Sequence, residues 1–139
     1  MKWLQNLLGG RGRKAAPAPV ATMRKEAGNI YVLQVGGVIN KATVDRIQAI
    51  AAQAVERDAK DLKLLLILSG FEGWRKGDDW GDLDFFARYG DDISRIAVVG
   101  EARWEDPMRI FLLAGRRRAD VRFFTPDQAV QARAWLAGA

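Results

Sequence analysis

Read for apolar and polar positions, the chain alternates short apolar runs with longer segments of helical period. Leu64-Leu65-Leu66-Ile67-Leu68 is an unbroken apolar run that stops at Ser69-Gly70. A run this short, bounded by glycine, suits a strand covered on both faces of an α/β sheet. Arg95-Ile96-Ala97-Val98-Val99-Gly100 reads the same way, and Val121-Arg122-Phe123-Phe124 is the last strand. Upstream, Ala21–Ala27 and Ile30–Val35 flank Gly28-Asn29, a hairpin turn, and Gly36-Gly37 ends the second strand.

Between these runs the apolar spacing becomes helical. Asn40 caps a predicted helix over Lys41–Lys60, whose face is Val44, Ile47, Ala51, Ala54 and Val55. Its alanines predict close packing on its neighbour. Asp78 or Asp79 caps a second helix over Trp80–Tyr89, with Trp80, Leu83, Phe86 and Ala87 inward. Asp106-Pro107 reads as a cap and first-turn proline for a third helix, which turns Met108, Phe111 and Leu112 inward and ends near Gly115. Thr125-Pro126-Asp127-Gln128 is a capping box opening the helix Pro126–Leu136, which packs through Ala129, Ala132 and Leu136 beside Trp135. This order predicts an α/β fold. Its sheet is mostly parallel, of four to five strands with one antiparallel edge strand, and carries about four helices.

Length and composition add bounds. At 139 residues the chain is one domain with a tail. The tail is residues 1–19, where Gly9-Gly10 stops a short helical stretch and Ala15-Ala16-Pro17-Ala18-Pro19 reads as an extended linker. Residues 20–139 are the folded domain. Trp3, Leu4, Leu7 and Leu8 share one helical face ahead of Arg11, Arg13 and Lys14. Two readings of residues 1–14 stand: peripheral contact with an anionic membrane, and a frayed or self-docked end. No apolar segment approaches the ~18–20 residues that span a bilayer. Met1–Leu8 is too short for a signal peptide, so a cytoplasmic location is expected.

The formal charge is +5, but the basic residues form no single stripe, so solvated surface charge is expected rather than nucleic-acid binding. There is no cysteine and no histidine. That excludes disulfides, thiolate nucleophiles, Ser-His-Asp chemistry and the commonest metal ligands.

The remaining chemistry gathers after the central apolar run. The carboxylates Glu72, Asp78, Asp79, Asp82 and Asp84 lack calcium-loop spacing and read as helix caps and surface pairs. No catalytic residue, metal site or cofactor is assigned. Gly70, Gly73 and Gly77 with Lys76 miss the phosphate-loop pattern, because Asp78 follows Gly77. The aromatic set Phe71, Trp74, Trp80, Phe85, Phe86, Trp104 and Phe111 either seals the core or lines an apolar pocket. The ligand-binding candidates are Phe71, Glu72, Trp74, Trp80, Phe85, Trp104 and Phe111. Arg75, Lys76 and Arg103 are the candidate contacts for an anionic group.

Four stretches resemble a known family: Leu66–Trp74 with Phe71-Glu72-Gly73-Trp74; Ile93–Gly100; Trp104; and Val121–Pro126 leading to Ala132-Arg133-Ala134-Trp135-Leu136. In this order and spacing they resemble the SpoIIAA-like branch of the STAS domain family, also described as STAS/SEC14-like, over about Met23–Ala137. The resemblance implies a non-enzymatic module that binds partners or small ligands. Anti-sigma-factor antagonists of the family are switched by phosphorylation of a serine after this strand. Here Arg75-Lys76 falls at the corresponding place, and no serine or threonine lies between Gly70 and Ile93. That switch is not expected in this chain.

The resulting expectation is a module for a small amphipathic, lipid-like ligand in an apolar cleft between the Trp80–Tyr89 and Met108–Leu113 helices. The alternative is a phosphorylation-independent protein–protein regulator, with an exposed apolar surface near Phe71-Glu72-Gly73-Trp74. Ligand or regulatory protein is the partner class in each case, and the oligomeric state is left open.

Overall fold

The computed structural model describes residues 19–58, 62–78, 93–112 and 118–138. Strand β1 is Val20–Glu26 and β2 is Ile30–Ile39, followed by helix α1, Lys41–Asp58. Strand β3, Leu62–Trp74, and β4, Ile93–Val99, precede helix α2, Glu105–Phe111. Strand β5, Asp120–Phe124, and helix α3, Ala129–Leu136, complete the described chain. The predicted helix Trp80–Tyr89 lies outside the described residues.

The five strands lie in the order β1-β2-β3-β4-β5. β1 pairs antiparallel with β2, through a turn whose Gly28 and Asn29 hold φ of 83° and 60°. All other pairs are parallel. Each crossover therefore steps one strand in the same direction. Right-handed crossovers made in one direction deliver their helices to one face. α1 and α2 accordingly pack on the face carrying Leu62, Leu66, Leu68, Ile96 and Val98.

Among the described residues the opposite face is covered by α3, which turns back across β3 and β4. Its Ala132 and Leu136 bury Leu65, Ala97 and Val99. Arg95 and Arg122 stack on Trp135 at 5.3 and 5.1 Å, and Arg95 also donates to the Trp135 carbonyl. Both faces being covered explains the unbroken apolar run, whose alternate residues serve different cores.

Local chemistry starts the helices. Asn40 Oδ1 accepts from Thr43 N at 2.8 Å, at the start of α1. Thr125 and Gln128 form the expected capping box, with Pro126 in the first turn. That segment is a 3-10 turn, Pro126–Gln128, running into α3. α2 differs from expectation. A 3-10 turn, Ala102–Trp104, runs straight into it, so its N-cap is Trp104 and Asp106 sits in its first turn. There the carboxylate faces the positive end of the helix dipole without capping a backbone N–H.

Two strands are longer than their sequence pattern suggests. Gly36-Gly37 does not end β2, and Ser69-Gly70 does not end β3. The ladder continues past both Gly36-Gly37 and Ser69-Gly70 to Val38↔Gly73 and Ile39↔Trp74. Register shifts either side of Gly37 place two extra residues on β3, and Gly37, Gly70 and Gly73 at φ of 70°, 64° and 108° absorb them. A Cβ at Gly36 would lie 2.2 Å from the Ser69 carbonyl oxygen, so glycine is what lets the strands approach.

Candidate functional site

The bulged continuation of β3 carries Phe71-Glu72-Gly73-Trp74 as strand, where the sequence suggested a loop. Phe71 turns inward and is 2% exposed, whereas Glu72 points to solvent. Trp104 arrives from the 3-10 turn after β4 and lies against Gly73, where a Cβ would meet its ring at 3.4 Å. Phe111 arrives from the last turn of α2.

These four side chains form one aromatic cluster. Phe71 meets Trp74 edge-on at 5.1 Å and Trp104 at 4.8 Å, between ring centroids. Trp74 lies 6.0 Å from Trp104 and 5.3 Å from Phe111. Edge-to-face pairs of this kind add about 0.5–1.5 kcal/mol each beyond area burial. Trp80 and Phe85, the other two aromatic candidates, lie outside the described residues.

The three candidate cations, Arg75, Lys76 and Arg103, are all exposed. The Arg103 guanidinium is 4.7 Å from the centre of the Trp104 ring and also pairs with Glu101 at 3.1 Å. Arg75 is 3.9 Å from an Asp78 oxygen, and Lys76 is exposed. Asp78 itself accepts the Lys41 backbone N–H at 2.8 Å, so its carboxylate caps α1. The sequence assigned it, as one of two candidates, to the segment that follows. Asp79, Asp82 and Asp84 lie outside the described residues. Among the described residues no group of three or more acidic side chains could hold a metal ion.

Beside the cluster, between α1 and the sheet, is an apolar cavity of about 110 Å³. Ala21 and Met23 of β1, Leu33 and Val35 of β2, and Val44, Ile47 and Ala51 of α1 form much of its wall. Met108, Phe111 and Leu112 close one side. Thr43 and Gln48 are its polar neighbours on α1, yet the surface facing the space is almost wholly apolar. The alanines of α1 were expected to draw the helix close. Where Ala51 faces the half-buried Met23 and Leu33, small side chains leave volume instead.

Among the described candidates, Phe111 alone lines this cavity, and it belongs to the aromatic cluster as well. Met23, Leu33, Val44 and Ala51 were not singled out as site residues. Their signal was the alternation of β1 and β2 opposite an alanine-rich helix face. It marks a core position without saying that the core is incompletely filled.

On the far side of the sheet, Arg133 donates through Nε and a terminal nitrogen to the two oxygens of Glu26, both at 3.2 Å. Those hydrogen bonds hold the Glu26 carboxyl below its ordinary range, against an opposing effect of burial; the charges of Arg133 and Arg24 add to the lowering. This pair ties α3 to the β1 edge and lies away from the cavity.

A mostly parallel sheet with one antiparallel edge and helices on both faces defines a fold of the α/β class. The SpoIIAA-like family profile matches residues 30–137, and the chain belongs to that family. In structure it is similar to an uncharacterized protein of the DUF3478 family with a SpoIIAA-like fold from Shewanella loihica PV-4. The two share 15% sequence identity and a TM-score of 0.64, over 91% of this chain and 99% of the other. No curated protein matches the sequence. The family places the chain among STAS-type modules. No helix among the described residues is long and apolar enough to cross a membrane.

Proposed function

We propose that this chain is a non-enzymatic binding module for a small amphipathic molecule, whose apolar part occupies the cavity beneath α1. The cavity itself carries the reading. An apolar cavity of roughly 150 Å³ lined by Leu, Ile and Phe stays dry and admits benzene. The space here, about 110 Å³, suits one ring or one short chain and is too small for a two-chain lipid. Burying four to six methylene equivalents supplies about 3–5 kcal/mol at ~0.8 kcal/mol each. That corresponds to affinities near the millimolar range, so tighter binding needs a polar anchor as well.

The alternative reading, a protein–protein regulator, drew on an apolar surface at Phe71-Glu72-Gly73-Trp74. Phe71 is buried and Trp74 half-buried there. Among the described residues, the exposed large apolar side chains are Val20, Ile50, Ile110 and Val130, none of them in that stretch. These placements favour the ligand reading. Contact of residues 1–14 with a membrane remains a separate proposal, outside the described residues.

The test is native mass spectrometry of the purified chain, repeated after extraction, together with titration by toluene. A bound mass that extraction removes, or saturable toluene binding lost in Ala51→Leu, supports the module. Ala51→Leu fills part of the space with side chain, so its folding should be intact. A bare chain that takes up no apolar probe, or binding indifferent to Ala51→Leu, overturns the reading and favours the regulator.

A further inference from the structure

Two residues of the aromatic cluster carry an unanswered polar atom. Trp74 Nε1 and Trp104 Nε1 are both sealed from solvent, and neither meets a hydrogen-bond acceptor among the described residues. Indole N–H is a donor only, and buried donors in native proteins are almost always paired. Here two donors without an acceptor among the described residues lie in a single cluster. Their rings stand 6.0 Å apart.

We propose that these two N–H groups receive the oxygen of an acyl group, a carboxylate or an ester carbonyl, at the polar end of the bound molecule. This rests on the cavity reading and narrows its ligand class. Three observations converge on it. Phe111 lines the cavity and also lies 5.3 Å from Trp74, so hydrocarbon space and donor pair are separated by one ring. That ring is half-buried and sits at the end of α2.

The chemistry of the surroundings selects the acceptor. A water molecule placed between the indoles would accept two hydrogen bonds but would bring two hydrogens of its own. The phenyl rings of Phe71 and Phe111 offer those hydrogens no lone pair. A carbonyl oxygen accepts twice and donates nothing, so it matches a site made of donors and ring faces. Finally, the cavity by itself yields only weak binding, and two hydrogen bonds are the anchor an apolar pocket of this size requires.

The experiment uses the full chain labelled at the indole nitrogens. Toluene, benzoate and methyl benzoate are the probes: they share one ring and differ in the acceptor. The expected result is that at least one acyl probe binds about tenfold tighter than toluene. It should also move the N–H resonances of Trp74 and Trp104 downfield, whereas toluene leaves them in place. Benzoate against methyl benzoate tells a carboxylate site from an ester site. Trp74→Phe and Trp104→Phe, which keep an aromatic ring, should remove the preference for an acyl probe over toluene.

Equal binding of all three probes with unmoved indole signals overturns the acceptor site and leaves the cavity reading standing. Absence of binding by every probe overturns both. Indole protons that contact a long-lived internal water, and stay in place when an acyl probe binds, also overturn it.

Discussion

The Asp78 carboxylate accepts the backbone N–H of Lys41 at 2.8 Å, across 37 positions of sequence. Asn40 accepts the N–H of Thr43 in the same turn, so two of the four open donors at the start of α1 have side-chain acceptors. The contact pins the segment after β3 to the helix that roofs the cavity. Backbone pairing of Arg75 N with the Ile39 carbonyl at 2.8 Å fixes the same corner.

Asp78→Ala is therefore expected to cost about 1 kcal/mol of stability, in the range of a lost N-cap acceptor. Asp78→Asn keeps a neutral acceptor and should cost less. Urea denaturation of the three proteins measures this. An Asp78→Ala midpoint equal to that of the parent would show that the contact contributes nothing to the fold.

Gly36 is the position where the sheet has no room for a side chain. Its Cβ would stand 2.2 Å from the Ser69 carbonyl oxygen, which is backbone and cannot rotate away. Gly36→Ala should destabilise by roughly 2 kcal/mol or more, since overpacking that shifts backbone costs about 1–3 kcal/mol and occasionally exceeds it. Gly28→Ala is the control. It has open space around it and carries only the left-handed φ of 83°, worth about 1 kcal/mol. If Gly28→Ala proved the more damaging of the two, the close β2–β3 approach would not be the constraint.

The Glu26–Arg133 pair makes stability depend on acid. Arg133 lowers the Glu26 carboxyl below its ordinary value near 4.5. A carboxyl lowered in the folded state contributes stability that is complete above the ordinary value and is lost as pH falls through the lower, folded one. The pair is partly exposed, so its size is about 0.2–1 kcal/mol. The stability gap between the parent and Glu26→Gln should be largest at neutral pH and should close as pH falls below 4.5. A gap that stays constant into acid would mean that the ionised carboxylate is not its source.

Much of the architecture was open to a reader of the sequence. The run Leu64–Leu68 signals a strand covered on both sides, and the two cores divide its residues between them. Thr125 and Gln128 announce a helix start through side chains only three residues apart, and the capping box is there. The aromatic candidates were legible as a set, and Phe71, Trp74, Trp104 and Phe111 do come together.

Other features were hidden for identifiable reasons. Glycine usually reads as a stop, and here Gly36-Gly37 and Ser69-Gly70 on neighbouring strands both carry the ladder onward. Whether glycine ends a strand or bulges it depends on the strand alongside, and local pattern holds no information about that. Asp78 read locally as a cap for the next segment, whereas the N–H it reaches lies far back in the chain.

Sequence alone was enough for the alternation of strands and helices among the described residues, the parallel sheet with its antiparallel edge, and the inward residues Val44, Ile47, Met108, Ala132 and Leu136. Those follow from periodicity, turn residues and caps, which act over a few residues of the chain. Tertiary structure decided the bulged β2–β3 ribbon, the cavity beneath α1 and the burial of two indole N–H groups without acceptors among the described residues. Each of these is set by atoms from several distant elements competing for one volume. A missing neighbour, whether hydrocarbon or acceptor, leaves no mark on the sequence of the residues around it.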